Sequence, residues 1–198
     1  MGRSPRKRTE IVAGDGTVRR SAMPTVISHA VAGLGIAACF CGPETPKSLW
    51  ALGALCAALP DADVLGFRLG IPYGSVWGHR GFTHSILFAA ALAGVIVLLG
   101  FRQGAPGLTP GRLWLFLFLA TVSHGLLDML TDGGLGVALL APFDNRRFFF
   151  PFRPIEVASF GASWLLTRRG AAVLASELRW VWVPSAVLAA VAMLVRRA

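Results

Sequence analysis

One histidine and two carboxylates recur at helical spacing in the second half of an apolar segment, residues 113–134. His124 and Asp128 are four residues apart and Asp132 follows one turn later, so on a helix all three share one face. Ionisable side chains in a segment of nearly membrane-spanning length are costly, which makes them candidates for function. Imidazole and carboxylate groups on one stripe can bind a divalent metal ion. A polar pair that only forms hydrogen bonds inside a helix bundle would show the same spacing. The choice between such a structural pair and a metal site therefore depends on the rest of the chain.

The composition is that of an integral membrane protein. Hydrophobic residues make up 55% of the 198 residues and charged residues 15%, against about 25% charged in typical soluble domains. The net charge of +9 comes from basic residues scattered between apolar runs. This pattern favours anionic lipid headgroups as partners and gives no indication of nucleic-acid binding. Cys39, Cys41 and Cys56 lack CxxC spacing, which favours buried apolar positions over a metal or redox role.

Five apolar runs predict an all-α fold, a polytopic bundle of about four to five transmembrane helices. They cover residues 25–41, 49–60, 84–101, 113–134 and 180–195. The second run would be about 18 Å long as a helix, against a hydrocarbon core of about 30 Å, so it must be tilted, shallow or continued by the residues after it. Residues 1–22 are polar and Arg-rich and predict a disordered basic tail, while residues 23–198 form one membrane domain.

If these runs cross in alternating directions, all four histidines gather at one membrane face, with aspartates beside them. The candidate metal ligands there are His29, Asp61, His79, His84, His124 and Asp128, and Asp63 lies next to them. Fourteen of the 19 lysines and arginines fall on the same side. The positive-inside bias therefore predicts a multi-pass protein of the inner (plasma) membrane with its site on the cytoplasmic face.

A set of histidines and aspartates without cysteine suits zinc, with manganese as the alternative, and one or two ions. A divalent ion can lower the pKa of water to about 7 and so supply a nucleophile. Asp61 or Asp63, whichever is not a ligand, could orient that water or accept its proton, which makes both candidate catalytic residues. Asp132 is expected to accept a hydrogen bond from a metal-bound histidine and so to hold its ring in place.

Three arginines follow the last of these residues on the same predicted face. Arg146 and Arg147 are adjacent, and Arg153 is close behind. Guanidinium groups can bind an anionic head group bidentately, so all three are candidate substrate-binding residues. Simple anchoring to lipid headgroups explains the same arginines almost as well.

Five segments carry a resemblance to a known family: MPTVISHAVAG, LPDADVL, HRGFTHS, SHGLLDMLTDGG and NRRFFFPFRPI. Together they resemble the YdjM-like family of membrane-bound metal-dependent hydrolases, over about residues 23–156. That family is distantly similar to the zinc-dependent phospholipase C and P1 nuclease group, in which a His-x-x-x-Asp helix supplies a histidine and a bridging aspartate to a zinc cluster. The matching positions are His124 and Asp128 on that helix, and His29, Asp61, and His79 or His84 upstream. That group uses further histidines for a third ion, and none follows His124, so the resemblance implies one or two ions.

These observations predict a membrane-bound metal-dependent hydrolase that acts on phosphoesters, including those carried by lipids, through a metal-activated water. A transporter of divalent cations or protons is one alternative, and a structural membrane protein with a stabilising metal is another. Clustering at one face favours the enzyme over the transporter, because an ion path would place polar residues through the whole depth of the membrane. The sequence indicates no protein partner.

Overall fold

The computed structural model describes residues 22–23, 25–159 and 167–197. The helices in these residues are α1 (Val26–Phe40), α2 (Lys47–Ala58), α3 (Ile86–Gly100), α4 (Pro110–Met129), α5 (Arg168–Glu177) and α6 (Val183–Arg197). A 3-10 helix, Leu59–Leu69, continues α2, a short 3-10 turn, Phe82–His84, precedes α3, and a π-helical segment, Leu178–Trp182, joins α5 to α6. Two-residue strands, β1 (Ala22–Met23) and β2 (Ala158–Ser159), pair antiparallel. The predicted tail lies outside the described residues, apart from Ala22.

Three continuous helices are long and apolar enough to cross a membrane. They are Lys47–Leu69, Pro110–Met129 and Arg168–Arg197, with 23, 20 and 30 residues. The second apolar run is therefore continued by the residues after it. This was one of the three predicted arrangements, the others being a tilted or a shallow helix. Helices α1 and α3 have 15 residues each, about 22 Å of helix. The predicted all-helical membrane architecture is thus found with three candidate spans and two shorter apolar helices.

Helix α4 is the central element, because α1, α2 and α3 all pack against it. Its first half is apolar, and Leu113, Phe116, Leu117 and Ala120 are fully buried. Thr109 caps its start by accepting a hydrogen bond from the Arg112 N–H. The opposite half of the helix, which carries the histidine and aspartate, is equally buried.

Small residues bring α1 and α2 together next to the site. A Cβ at Gly33 would lie 2.7 Å from the carbonyl oxygen of Gly53 and 2.8 Å from Cβ of Ala57. Glycine therefore allows the close approach of two helix backbones that is common in membrane bundles. His29 lies one turn before Gly33, so this contact holds its side chain beside the end of α2.

Helix α4 ends at Met129, and the prediction that Asp132 continues its polar stripe is wrong. The Thr131 hydroxyl donates to the Asp128 carbonyl at 2.7 Å, and this bond closes the last turn. Asp132 lies beyond it, in a loop. Its Oδ1 accepts the Val157 N–H at 3.1 Å, and its Oδ2 lies 3.6 Å from Arg169.

Candidate metal centre

Four buried side chains from three segments form one group of potential metal ligands. Asp61 comes from the 3-10 helix, His84 from the turn before α3, and His124 and Asp128 from α4. One ligating atom from each lies within 4.8 Å of all the others. The Nε2 atom of His124 is 3.3 Å from Asp61 Oδ1, and that of His84 is 3.4 Å from Asp128 Oδ2. Two imidazoles and two carboxylates at these distances from one another could hold a metal ion.

The backbone of α2 orients the His124 ring. Its Nδ1 lies 2.7 Å from the Ala57 carbonyl oxygen, and because a carbonyl only accepts, Nδ1 carries the proton. The lone pair on Nε2 then faces the cluster, where this atom has no hydrogen-bond partner. In the 3-10 register that follows α2, the donor to Ala57 would be Pro60, which has no N–H, so the carbonyl is available to His124.

Asp63 supports histidines instead of facing the cluster. Its Oδ1 lies 2.7 Å from Nδ1 of His79. Its Oδ2 accepts from the Thr83 hydroxyl at 2.7 Å and the Arg80 N–H at 3.2 Å, and lies 3.2 Å from Nδ1 of His84. A carboxylate behind an imidazole fixes the ring and leaves the other nitrogen to a metal. Asp63, His79 and His84 also form a second group with metal-ligand geometry.

His29 closes the cluster on the side of α1. Its ring stacks on that of His124, with centroids 3.7 Å apart and an interplanar angle of 17°. Its Nε2 lies 3.6 Å from Asp128 Oδ1, whereas Oδ2 of the same carboxylate faces His84 and His124. Asp128 therefore lies between His29 and the other two histidines, in a position to bridge them.

Among the described residues at the site, the buried carboxylates outnumber the buried guanidinium group, so charge balance requires a bound cation or protonated histidines. Three carboxylates, those of Asp61, Asp63 and Asp128, meet one fully buried guanidinium, that of Arg80, whose Nε lies 2.9 Å from Asp128 Oδ2. With neutral histidines this leaves an excess of two negative charges, which is costly inside a protein. Among the described residues, neither oxygen of Asp61 nor Oδ1 of Asp128 has a hydrogen-bond partner, and Asp128 Oδ2 has the Arg80 ion pair. Charge and unsatisfied atoms together fit one divalent ion.

The predicted substrate-binding arginines make other contacts in the described chain. Arg147 donates to backbone carbonyls of five residues and so ties two loops together: Tyr73, Ser75, His79, Arg80 and Gly136. Burial lowers the pKa of its guanidinium. Arg146 is exposed and pairs with Asp144 at 2.6 Å, and Arg153 lies over the Phe149 ring at 4.8 Å.

Arg80 is the residue of the site that sequence reasoning missed. The sequence indicates it only as one of the basic residues that predict the cytoplasmic face. It lies in the segment HRGFTHS between His79 and Gly81, with a positive φ of 60°, and is fully buried. Its place before Gly81 is a weak signal of a turn, and composition does not distinguish a buried arginine from an exposed one.

Residues 23–198, which include every member of the cluster, match the family described as YdjM inner membrane protein. The Escherichia coli (strain K12) protein named inner membrane protein YbcI is 46% identical over 166 residues, which are 84% of this chain and 95% of that protein. No solved structure matches the chain.

Proposed function

The chain belongs to the YdjM inner membrane protein family, and from this membership and its buried ligand set we propose that it is a membrane-bound, metal-dependent phosphoester hydrolase. The family name supports the inner membrane as its location. The observation that carries the hydrolase proposal is the group formed by Asp61, His84, His124 and Asp128, whose ligating atoms lie within 4.8 Å of one another.

We further propose that five segments cross the membrane: α1, α2 with its 3-10 continuation, α3, α4, and α5 with α6. In this arrangement the beginnings of α1 and α3 and the ends of the second and fourth segments share one face, which agrees with their joint contribution to the cluster. The distribution of lysine and arginine favours the cytoplasm for this face. The short helices α1 and α3 require local thinning of the bilayer or burial within the bundle.

Zinc fits the two imidazoles and two carboxylates best, and manganese is the alternative. Asp61, His84, His124 and Asp128 would hold one ion. A second ion could have His29 and Asp128 Oδ1 as ligands, or the group Asp63, His79 and His84. The first of these sets has only two ligands, and the second shares His84 and uses an aspartate that already accepts other hydrogen bonds, so one ion is the better-supported number. When bound, the ion would lower the pKa of a water molecule and polarise a phosphoryl oxygen.

The two neighbouring aspartates have different roles in this proposal. Asp63 is engaged by four polar groups, so it positions His79 and His84 and is a poor proton acceptor. Asp61 has no hydrogen-bond partner on either oxygen. One of its oxygens can bind the ion while the other accepts the proton of the attacking water. This supports Asp61 over Asp63 as the general base.

A screen of hydrolysis tests this function. The purified, zinc-loaded protein in detergent is offered phospholipids, lipid phosphomonoesters and nucleotides, and phosphate or headgroup release is measured. We expect cleavage of at least one phosphoester class, and its loss in Asp61→Asn. Asp144→Asn, which alters an exposed carboxylate of a surface ion pair, is the matched control and should retain activity.

The same protein preparation also tests the alternative that the protein is a transporter. If metal-loaded protein cleaves no phosphoester in the screen, yet proteoliposomes take up the divalent ion through the wild type and not through Asp61→Asn, the hydrolase proposal is wrong. Absence of both cleavage and uptake in a metal-bound protein would instead leave the metal with a structural role.

A further inference from the structure

The Arg80 guanidinium is held on two sides and open on a third. Its Nε lies 2.9 Å from Asp128 Oδ2, and its Nη1 donates to the Gly133 carbonyl at 2.8 Å and the Thr131 hydroxyl at 3.2 Å. Its Nη2 is buried and has no hydrogen-bond partner among the residues that the structure describes. A buried guanidinium N–H without an acceptor is unfavourable, so this edge is suited to a ligand that supplies one.

Tyr73, the single tyrosine of the chain, presents a second donor nearby. Its ring packs edge-on against His79, with centroids 5.2 Å apart, and the Arg147 guanidinium lies 5.5 Å from the ring centre. The Leu135 backbone lies against its hydroxyl, and within the described part of the chain the hydroxyl proton has no acceptor. Burial raises the pKa of Tyr73, so the phenol keeps its proton at neutral pH and can donate.

Gly134 packs directly against both of these groups. A Cβ at this position would lie 2.7 Å from Nη1 of Arg80 and 2.8 Å from the Tyr73 hydroxyl oxygen. Gly134 also has a φ of 85°, which side-chain-bearing residues rarely adopt, and it is exposed. Both side chains therefore lie directly beneath one exposed loop residue, in a contact that only a residue without a side chain allows.

We propose that Arg80 and Tyr73 form an anion subsite that binds the phosphoryl oxygens of the substrate beside the metal centre. This deepens the proposed function and rests on it for the identity of the reacting group. Arg80 contacts the carboxylate of Asp128, so an anion bound by Nη2 and the Tyr73 hydroxyl lies next to the metal ligands. A planar guanidinium and a phenol donor match the several acceptor oxygens of a phosphomonoester.

The charge of the cluster makes this subsite dependent on the cation. The excess of two negative charges on Asp61, Asp63, Asp128 and Arg80 would repel an anion, and a divalent ion removes it. The shared chemistry is a phosphate group, which could come from a lipid headgroup or from a soluble molecule. Phosphate affinity is therefore expected to be higher in the metal-loaded protein than after chelation.

Binding of inorganic phosphate to the zinc-loaded and the chelated full-length protein, measured by equilibrium dialysis, tests the subsite without any turnover. Tyr73→Phe keeps the ring and its packing and removes only the hydroxyl. We expect it to retain the bound metal and to bind phosphate about tenfold more weakly, the effect of one hydrogen bond to a charged group. Ser123→Ala is the control, because the Ser123 hydroxyl donates to the Ala120 carbonyl of its own helix, and it should bind phosphate as the wild type does.

The metal proposal and the subsite proposal fail separately. Metal content of the wild type reports on the metal centre, and the difference in phosphate affinity between wild type and Tyr73→Phe reports on the subsite in either metal state. Equal affinities, or no phosphate binding by the wild type in both states, overturn the subsite. Vesicles of phosphatidic acid in phosphatidylcholine form a second arm. Displacement of phosphate by these vesicles identifies a lipid headgroup as the occupant, and its absence identifies a soluble anion.

Discussion

Two buried carboxylate sites lie beside the first turn of α1, and they differ in how their oxygens are satisfied. Glu177, at the end of α5, is fully buried. It accepts the Thr25 N–H at 2.5 Å, the Thr25 hydroxyl at 2.7 Å and the Ser28 hydroxyl at 2.9 Å. One residue further along, His29 faces Asp128, whose Oδ1 has no hydrogen-bond partner among the described residues and whose Oδ2 pairs with Arg80.

The comparison separates a structural carboxylate from one that needs a ligand. Glu177 serves the start of α1, where its negative charge also faces the positive end of the helix dipole. Asp61 and Asp128 lie against imidazole nitrogens, and in the described part of the chain only one of their four oxygens, Asp128 Oδ2, has a close donor, Arg80. Burial of an acidic residue is therefore weak evidence of a metal site, while unsatisfied oxygens grouped with free imidazole nitrogens are stronger evidence.

The largest effect is expected from Asp128→Asn, which keeps the size of the side chain and removes the charge shared by His29, His84 and Arg80. Metal affinity and hydrolysis should fall together, by more than the roughly 10–100-fold typical of losing a supporting partner. Metal content by mass spectrometry and turnover on the best substrate of the screen measure this. Asp144→Asn is the control. Full activity in Asp128→Asn would contradict the conclusion that Asp128, unlike Glu177, needs a metal ligand.

A smaller effect is expected from Asp63→Asn, because Asp63 acts through histidines. The variant replaces one carboxylate oxygen with an amide that faces donors such as Thr83 and His79. Metal affinity should fall about 10–100-fold, with activity restored at high metal concentration. A metal titration followed by activity measures both. Activity that stays low at saturating metal would instead make Asp63 part of the chemistry.

Glu177→Gln should change stability and leave the metal centre intact. The substitution removes the charge and presents an amide donor to groups that already donate, so we expect the free energy of unfolding to fall by about 1–3 kcal/mol. Thermal unfolding in detergent and metal content, measured on the same preparation, test both halves of this statement. Loss of the metal at unchanged stability would show that the two carboxylate sites are not independent.

Asp132→Asn is expected to have the smallest effect. Its side chain is exposed, and its neighbours are the Val157 N–H and Arg169. Exposed ion pairs contribute about 0–1 kcal/mol, so metal content and activity should stay at wild-type levels. A marked loss of metal in this variant would support the sequence-based prediction that Asp132 holds a metal-bound histidine in place.

Local spacing predicted the parts of the site that depend on a single helix. His124 and Asp128 share a face because positions four apart always do on a helix, and the alternation of apolar runs placed Asp61 and His84 at the same end of the bundle. The family resemblance found from the motifs is confirmed by the match over residues 23–198. The phosphoester activity that the resemblance implies stays a prediction.

The remaining features depend on local geometry or burial that spacing does not encode. Asp61 and Asp63 diverge because positions two apart on a helix point to different sides. Since the helix continues past Ala58, one faces the cluster and the other faces His79. Asp132 leaves the stripe because Thr131 closes the helix. Arg147 was predicted to bind substrate, but its donors go to loop carbonyls, which carry no signal in the side-chain pattern.

Metal content of the purified wild-type protein tests the central claim most directly. The protein is isolated without added metal, dialysed, and analysed by inductively coupled plasma mass spectrometry against protein concentration, with Asp128→Asn and Asp144→Asn prepared in parallel. The account predicts about one divalent ion per chain, zinc first, in the wild type and in Asp144→Asn, and little in Asp128→Asn. A wild type that retains no divalent ion and acquires none on dialysis against zinc or manganese would contradict it.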